Sequence, residues 1–153
     1  MIYLDTGCLL KLYYPEPDSA AVARLVSGKV IAFSSLHELE LTNALQLKAF
    51  RKEARATQVR ATLTLVDADL RGGILHRVDV DWRAAQRAAT AISAAHTAKL
   101  GCRSLDILHC AAAKALGSTA FLTTDARQKR LAVAIGLACP SVRRNAALSN
   151  VIT

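Results

Sequence analysis

The stretch YLDTGCLL, residues 3–10, decides the reading of this chain. Tyr3 and Leu4 complete a short apolar run from Ile2 that predicts a strand, and Asp5 and Thr6 stand at its exit, where a helical pattern begins. Asp and Thr are good helix caps, so Asp5 alone has an ordinary explanation. A carboxylate at the end of a buried strand means more if other strands are followed the same way.

Working outward, Val30–Phe33, Ile74–Val80 and Ala120–Leu122 read as further strands, with a short fifth expected around Leu137–Val142. Helical patterns lie between them. SSLHELELTNALQLKAFRKEA starts at a Ser cap, and DWRAAQRAATAISAAHTAKL puts Trp82, Ala85, Ala89 and Ile92 on one face. SLDILHCAAAKAL and DARQKRLAVAIGL follow, with Ser104 expected as the cap of the first and Gly136 closing the second. Two early helices flank the turn PEPD at 15–18. Short buried strands alternating with helices predict an α/β protein: a three-layer α/β/α sandwich around a mainly parallel sheet of four to five strands. No repeat, low-complexity segment or linker divides residues 1–153, so a single domain is expected.

Composition narrows the function classes. Apolar residues make up 52% and charged residues 21%, which fits a globular chain and not a disordered one. Asp5 interrupts any secretory signal, and the longest apolar run near the end, Leu131–Cys139, is too short to span a bilayer. A cytoplasmic protein without membrane attachment is the expectation. Cys8, Cys102, Cys110 and Cys139 form no C-x-x-C pair and predict reduced, buried thiols. The histidines are equally scattered, which argues against zinc. Twenty Lys and Arg residues against 12 acidic ones give a net charge of +8, which favours a polyanionic partner such as nucleic acid.

Functional groups of a parallel sheet gather beyond the carboxyl ends of its strands. Asp5 follows the first strand, Asp125 in FLTTD follows the fourth, and Asp106 in RSLDILH sits in a first helical turn. Glu40 lies within the helix after the second strand, between Leu39 and Leu41, with Leu36, Asn43 and Leu47 as its helical neighbours. Two carboxylates about 5 Å apart repel by roughly 3 kcal/mol at an effective dielectric near 20. A converging set therefore needs raised pKa values or a cation. Oxygen donors without His or Cys select Mg²⁺ or Mn²⁺, ions suited to phosphodiester hydrolysis. With the basic surface, this points to metal-dependent cleavage of nucleic acid.

The motifs together resemble the PIN-domain family, and within it the VapC-type toxin ribonucleases. IYLDTGCLLKLYYPEP is similar to the family's first motif, SSLHELELTNAL to its second, LDILHCAAA to its third and AFLTTDARQKRLAVAIGL to its last. The resemblance runs from residue 1 to about 137 and rests on the order and spacing of short motifs. It implies an α/β/α fold, an acidic pocket for Mg²⁺ or Mn²⁺, endoribonuclease activity on single-stranded RNA and a homodimer. It also implies a small antitoxin whose C-terminal segment lies across the site. By the same resemblance Asp5, Glu40, Asp106 and Asp125 are the acidic set, with Asp5, Asp106 and Asp125 as metal ligands. Thr6 and Thr124 would support these carboxylates, and Asn43 would line the site. Gly7 departs from the pattern, since the family often has Ser there.

Glu38 rivals Glu40 in sequence but points about 160° away on the helix. His109, one turn after Asp106, reads as a core or supporting residue more than a general base. Trp82 reads as core or dimer surface, and Tyr13 and Tyr14 as a candidate partner-facing groove. Arg51, Lys52, Arg55 and Arg60 form the densest basic stretch, while Arg127, Lys129 and Arg130 follow Asp125; Arg51, Lys52, Arg127 and Lys129 are the candidate RNA contacts. The alternative function is a PIN-like module that binds RNA or protein without cutting. A phospho-receiver switch is disfavoured because the first strand is not followed by adjacent acidic residues.

Overall fold

The computed structural model describes residues 1–142. Four short strands carry the architecture: β1 (Tyr3–Leu4), β2 (Ile31–Phe33), β3 (Leu75–Arg77) and β4 (Phe121–Leu122). All pairings are parallel, with Tyr3 opposite Phe121 and Ile31 opposite Leu75. A parallel bridge between Ile2 and Ile31 joins the two ladders: Ile2 N–H donates to Val30 O (3.0 Å) and Ala32 N–H to Ile2 O (2.9 Å). The resulting order is β3-β2-β1-β4, so the chain reverses its direction of travel between β1 and β4. A crevice opens beyond the strand ends at such a reversal.

Alternating side chains send the sheet into two cores. Ile2, Leu4, Ile31 and Phe33 face α1 (Thr6–Tyr13), α2 (Ser19–Val26), α3 (Ser35–Phe50) and α4 (Ala56–Arg71) through Leu9, Val22, Leu41, Leu45, Val59 and Val66. Tyr3, Ala32 and Phe121 face α5 (Trp82–Leu100), α6 (Ser104–Ala115) and α7 (Ala126–Ala134) through Ala85, Ile107, Cys110 and Leu131. This is the expected three-layer sandwich. Trp82, Ala89 and Ile92 pack against the second core as their spacing predicts.

Several expectations need correction. The region Leu137–Val142 forms no strand; its link to β4 is the hydrogen bond from Phe121 N–H to Ala138 O (2.8 Å), and Pro140 lacks the N–H a ladder needs. The third strand covers only Leu75–Arg77 of the predicted 74–80. Arg103, not Ser104, caps α6, because the Asp106 carboxylate reaches back to the Arg103 N–H (3.2 Å). Helix α4 is absent from the patterns read in the sequence, although Val59, Leu63, Val66 and Leu70 mark its buried side. Tyr13 lines a surface cavity of about 460 Å³ with Leu12, Val26 and Asp69, while its hydroxyl and that of Tyr14 also serve the fold. The Tyr13 hydroxyl donates to Asp69 Oδ2 (2.7 Å) and that of Tyr14 to Glu53 O (2.9 Å), tying the end of α1 to α4 and to the turn after α3.

Candidate active site

Asp5 leaves β1 and caps α1, its Oδ1 accepting from Cys8 N–H at 2.6 Å. It is buried at the reversal between β1 and β4. Burial pushes its carboxyl above the usual range, against the Cys8 N–H, which favours the charged form. Gly7 lies two residues after Asp5. A Cβ there would lie 3.6 Å from Asp5 Oδ1, an ordinary contact, so a serine would fit and glycine merely omits its hydroxyl.

Helix α3 starts at Ser34 and delivers Glu40 to the same end of the sheet. His37 secures the start: its Nδ1 accepts from Ser34 N–H (3.0 Å), and its Nε2–H donates to Leu4 O (2.8 Å). Burial first, then the nearby His109, depress the His37 pKa to about 3, so the ring is neutral. Glu40 Oε2 receives the Thr6 hydroxyl at 2.6 Å and faces His109 Nε2 at 2.5 Å. Burial alone would raise the Glu40 pKa, but the His109 and Thr6 hydrogen bonds outweigh it and hold the carboxyl below the ordinary range. Thr6 thus supports a carboxylate as expected. Glu38 points elsewhere and forms a two-pronged pair with Arg77 (3.0 and 3.3 Å).

Asp106 and Asp125 are held differently. Asp106 Oδ2 meets Arg103 Nε at 3.2 Å. Asp125 caps α7, its Oδ1 accepting from Arg127 N–H (2.7 Å) and Gln128 N–H (3.2 Å), and Arg127 NH2 stands 3.7 Å from Oδ2. Burial pushes Asp125 up, but the backbone donors of Gln128 and Arg127 together with the Arg127 charge prevail and lower its pKa.

Thr124 is exposed, and no described hydrogen bond involves its hydroxyl; the neighbouring Thr123 does the supporting work. The Thr123 hydroxyl donates to Gln128 Oε1 (2.8 Å) and accepts from Asp125 N–H (2.9 Å). Gln128, only 1% exposed, donates from Nε2 to the Asp106 carbonyl (3.1 Å) and so ties β4, α6 and α7 together. Sequence reasoning missed Thr123, Gln128 and Arg103. A glutamine one turn into a helix with a strand-end threonine before it was the available signal.

Asn43 is exposed and lines a cleft of about 450 Å³ with Thr6, Glu40, Leu39, Leu47 and Leu105. The basic candidates separate. Arg127 stands at Asp125, whereas Lys129 is turned to Ser141 Oγ. Arg51 and Lys52 are exposed at the far end of α3, about 16 Å along the helix from Glu40. The donor set of Asp5, Glu40, Asp106 and Asp125 is all oxygen and chemically suited to a hard divalent cation. Among the described residues, no three His, Cys, Asp or Glu side chains stand arranged to hold a metal ion. Nor is any described helix long and apolar enough to cross a membrane.

The family model of the PIN domain matches residues 2–134, and the chain belongs to that family. Its fold is similar to that of VapBC2 from Rickettsia felis, solved bound to a DNA fragment from their promoter, with 20% identity, 92% of this chain and 98% of that chain covered, and a TM-score of 0.60. FitAcB from Neisseria gonorrhoeae is similar at 17% identity, with 93% and 98% coverage and a TM-score of 0.60. No curated protein matches the chain.

Proposed function

We propose that the chain is a metal-dependent endoribonuclease that cuts single-stranded RNA and acts as the toxin of a toxin–antitoxin pair. The observation behind this is the placement of Asp5, Glu40, Asp106 and Asp125: all follow β1, β2 and β4 or open α6 at one end of a parallel sheet, in a PIN-family chain of net charge +8. Asp5, Asp106 and Asp125 would hold Mg²⁺ or Mn²⁺. Such an ion supplies neutralisation of the carboxylates and of the charge that builds on the phosphoryl oxygens. Glu40 has Oε1 open to accept a proton as the oxygen of water attacks phosphorus. The phosphorus–oxygen bond to the leaving nucleoside breaks, and that oxygen takes up a proton from solvent. Thr6 keeps Glu40 oriented, and Arg127 is placed to meet a phosphate.

A small antitoxin fits the same proposal. The chain resembles VapC-type toxins in its motifs, and exposed Leu39, Leu47 and Leu105 beside Glu40 offer a partner's apolar side chains a seat across the site. A homodimer belongs to it as well, with Phe50, 83% exposed, as available apolar surface. One observation favours the non-cleaving alternative: Asp106 and Asp125 are already charge-balanced by Arg103 and Arg127, with no metal-holding group among the described residues.

Asp5→Asn separates the two readings. Asparagine caps a helix as well as aspartate does, so the fold persists while the charge is lost. Cleavage of a single-stranded RNA with Mn²⁺ should fall by about 10²–10³-fold. A variant as fast as the natural chain removes the mechanism. Salt-sensitive RNA binding by the natural chain with no products at any Mn²⁺ concentration establishes the binding module instead.

A further inference from the structure

The proposed chemistry uses the four carboxylates but leaves a buried histidine unexplained. His109, 2% exposed, lies on α6 one turn after Asp106. Both ring nitrogens are engaged by residues distant in sequence: Nδ1 lies 3.0 Å from the Tyr3 hydroxyl and Nε2 lies 2.5 Å from Glu40 Oε2. A histidine that merely filled a core would not meet a fully buried phenol on one side and a half-buried carboxylate on the other. The Tyr3 hydroxyl stands at hydrogen-bonding distance from Nδ1 and is free to donate to it. Glu40 Oε2 already accepts the Thr6 hydroxyl and faces Nε2 at 2.5 Å, so this contact assigns Nε2–H as the donor to the carboxylate. Donation then runs in one direction, from Tyr3 to His109 to Glu40.

Oε2 of Glu40 thus receives two donors, His109 Nε2–H and the Thr6 hydroxyl. Among the described hydrogen bonds, Oε1 receives none. We propose that His109 is a positioning residue that, together with Thr6, saturates Oε2 of Glu40 and so leaves Oε1 as the single carboxylate oxygen presented to the reaction. Without these donors the carboxylate could rotate about its last bond and offer either oxygen, or turn away. Tyr3 fixes which face of the imidazole meets Glu40, and its own place is fixed by β1. Strand β1 therefore sets Asp5 directly and Glu40 through His109. The proposal rests on the nuclease reading for its consequence, though not for its geometry.

The test uses the whole chain and three variants. His109→Leu keeps the bulk and removes both nitrogens, His109→Gln can return a donor near the Nε2 position, and Tyr3→Phe removes one hydroxyl. The expected result is a kcat for RNA cleavage with Mn²⁺ that falls about 10- to 100-fold in His109→Leu, with KM unchanged within about threefold. His109→Gln should recover most of that loss, and Tyr3→Phe should fall between. Equal losses in His109→Leu and His109→Gln, or a loss in KM alone, would overturn the positioning role. Nitrogen-15 NMR of the imidazole reads the geometry without activity: the proton should be found on Nε2 of His109, and its signal should move in Glu40→Gln. A proton on Nδ1 alone overturns the proposal even if the chain is an active nuclease. An inactive natural chain with the expected imidazole signals removes the nuclease reading and leaves the positioning in place.

Discussion

Asp5 and Glu40 are anchored chiefly by buried donors, the Cys8 N–H and the His109 ring, with the half-buried Thr6 hydroxyl added at Glu40, whereas Asp106 and Asp125 are anchored partly by arginines in water. The carboxylates themselves are all partly or mostly shielded. Their partners differ: the His109 side chain beside Glu40 is 3% exposed, while the Arg103 side chain beside Asp106 is 73% exposed. A buried donor cannot find water if its acceptor leaves, so each contact in the first half is costly to break. An exposed guanidinium is solvated either way, so the second half is adjustable at little cost. The site thus combines a fixed half with a half whose charge balance can be exchanged.

The sharpest test of that difference pairs two apolar replacements. Glu40→Leu should lower stability by about 1–3 kcal/mol, because buried His109 Nε2–H loses its short carboxylate partner and keeps only the longer contact to Thr6 Oγ1 (3.2 Å). Asp106→Leu should cost less, about 0.5–1 kcal/mol, since the Arg103 side chain and the exposed Arg103 N–H that it caps both return to solvent. Urea midpoints measured side by side decide the matter; equal costs would dissolve the distinction. Next in size is Gln128→Leu. It removes the acceptor of the Thr123 hydroxyl proton and one donor to the Asp106 carbonyl and should cost about 1–2 kcal/mol by the same measurement.

His37 gives the fixed half a pH signature. Facing it are the Tyr3 ring and Ser34, with His109 on α6 disfavouring its charged form and Glu40 favouring it; burial dominates. Its pKa is pushed down to about 3 in the folded chain, against an ordinary histidine value of 6.5. Between these values the unfolded chain binds a proton that the folded one refuses. Stability from this group is complete above pH 6.5 and falls as pH drops towards 3, by up to about 1.4 kcal/mol per unit. Denaturation of the natural chain should therefore be steeper in pH than that of His37→Gln between pH 6.5 and 4.5. Parallel curves would show that His37 is not held neutral.

How much of this the sequence discloses follows the range of the interactions. Local features are legible: the strand ending at Leu4, the Ser34 cap and the Asp125 cap are set by neighbours within a few residues. So is the choice of Glu40 over Glu38, because helical angle separates them. Partners joined across the fold are not legible. Tyr3 and His109 meet across 106 residues, and Glu40 and His109 across 69, so no window of periodicity contains either pair. Helix α4 is hidden for a different reason. Thr57, Thr62 and Thr64 lower its helical propensity, although its apolar spacing was there to be read. The expected fifth strand failed on Pro140, which apolar content alone had outweighed.

Arg103 should give the smallest effect on stability and the most informative one on charge exchange. Arg103→Ala removes an exposed pair, so the melting temperature should move by no more than about 2–4 °C, the equivalent of 1 kcal/mol in a chain of this size. If the second half exchanges partners, losing Arg103 frees Asp106 and removes a positive charge beside it. If Mn²⁺ binds as proposed, the upward shift in melting temperature that it causes should then begin at a lower Mn²⁺ concentration than in the natural chain. RNA binding should move the other way, its salt dependence shrinking by about one phosphate contact if Arg103 turns to the substrate. A variant that instead melts well below the natural chain, with unchanged Mn²⁺ response, would place Arg103 with His109 among the fixed donors. The two halves of the site would then differ only in exposure, and not in what they can release.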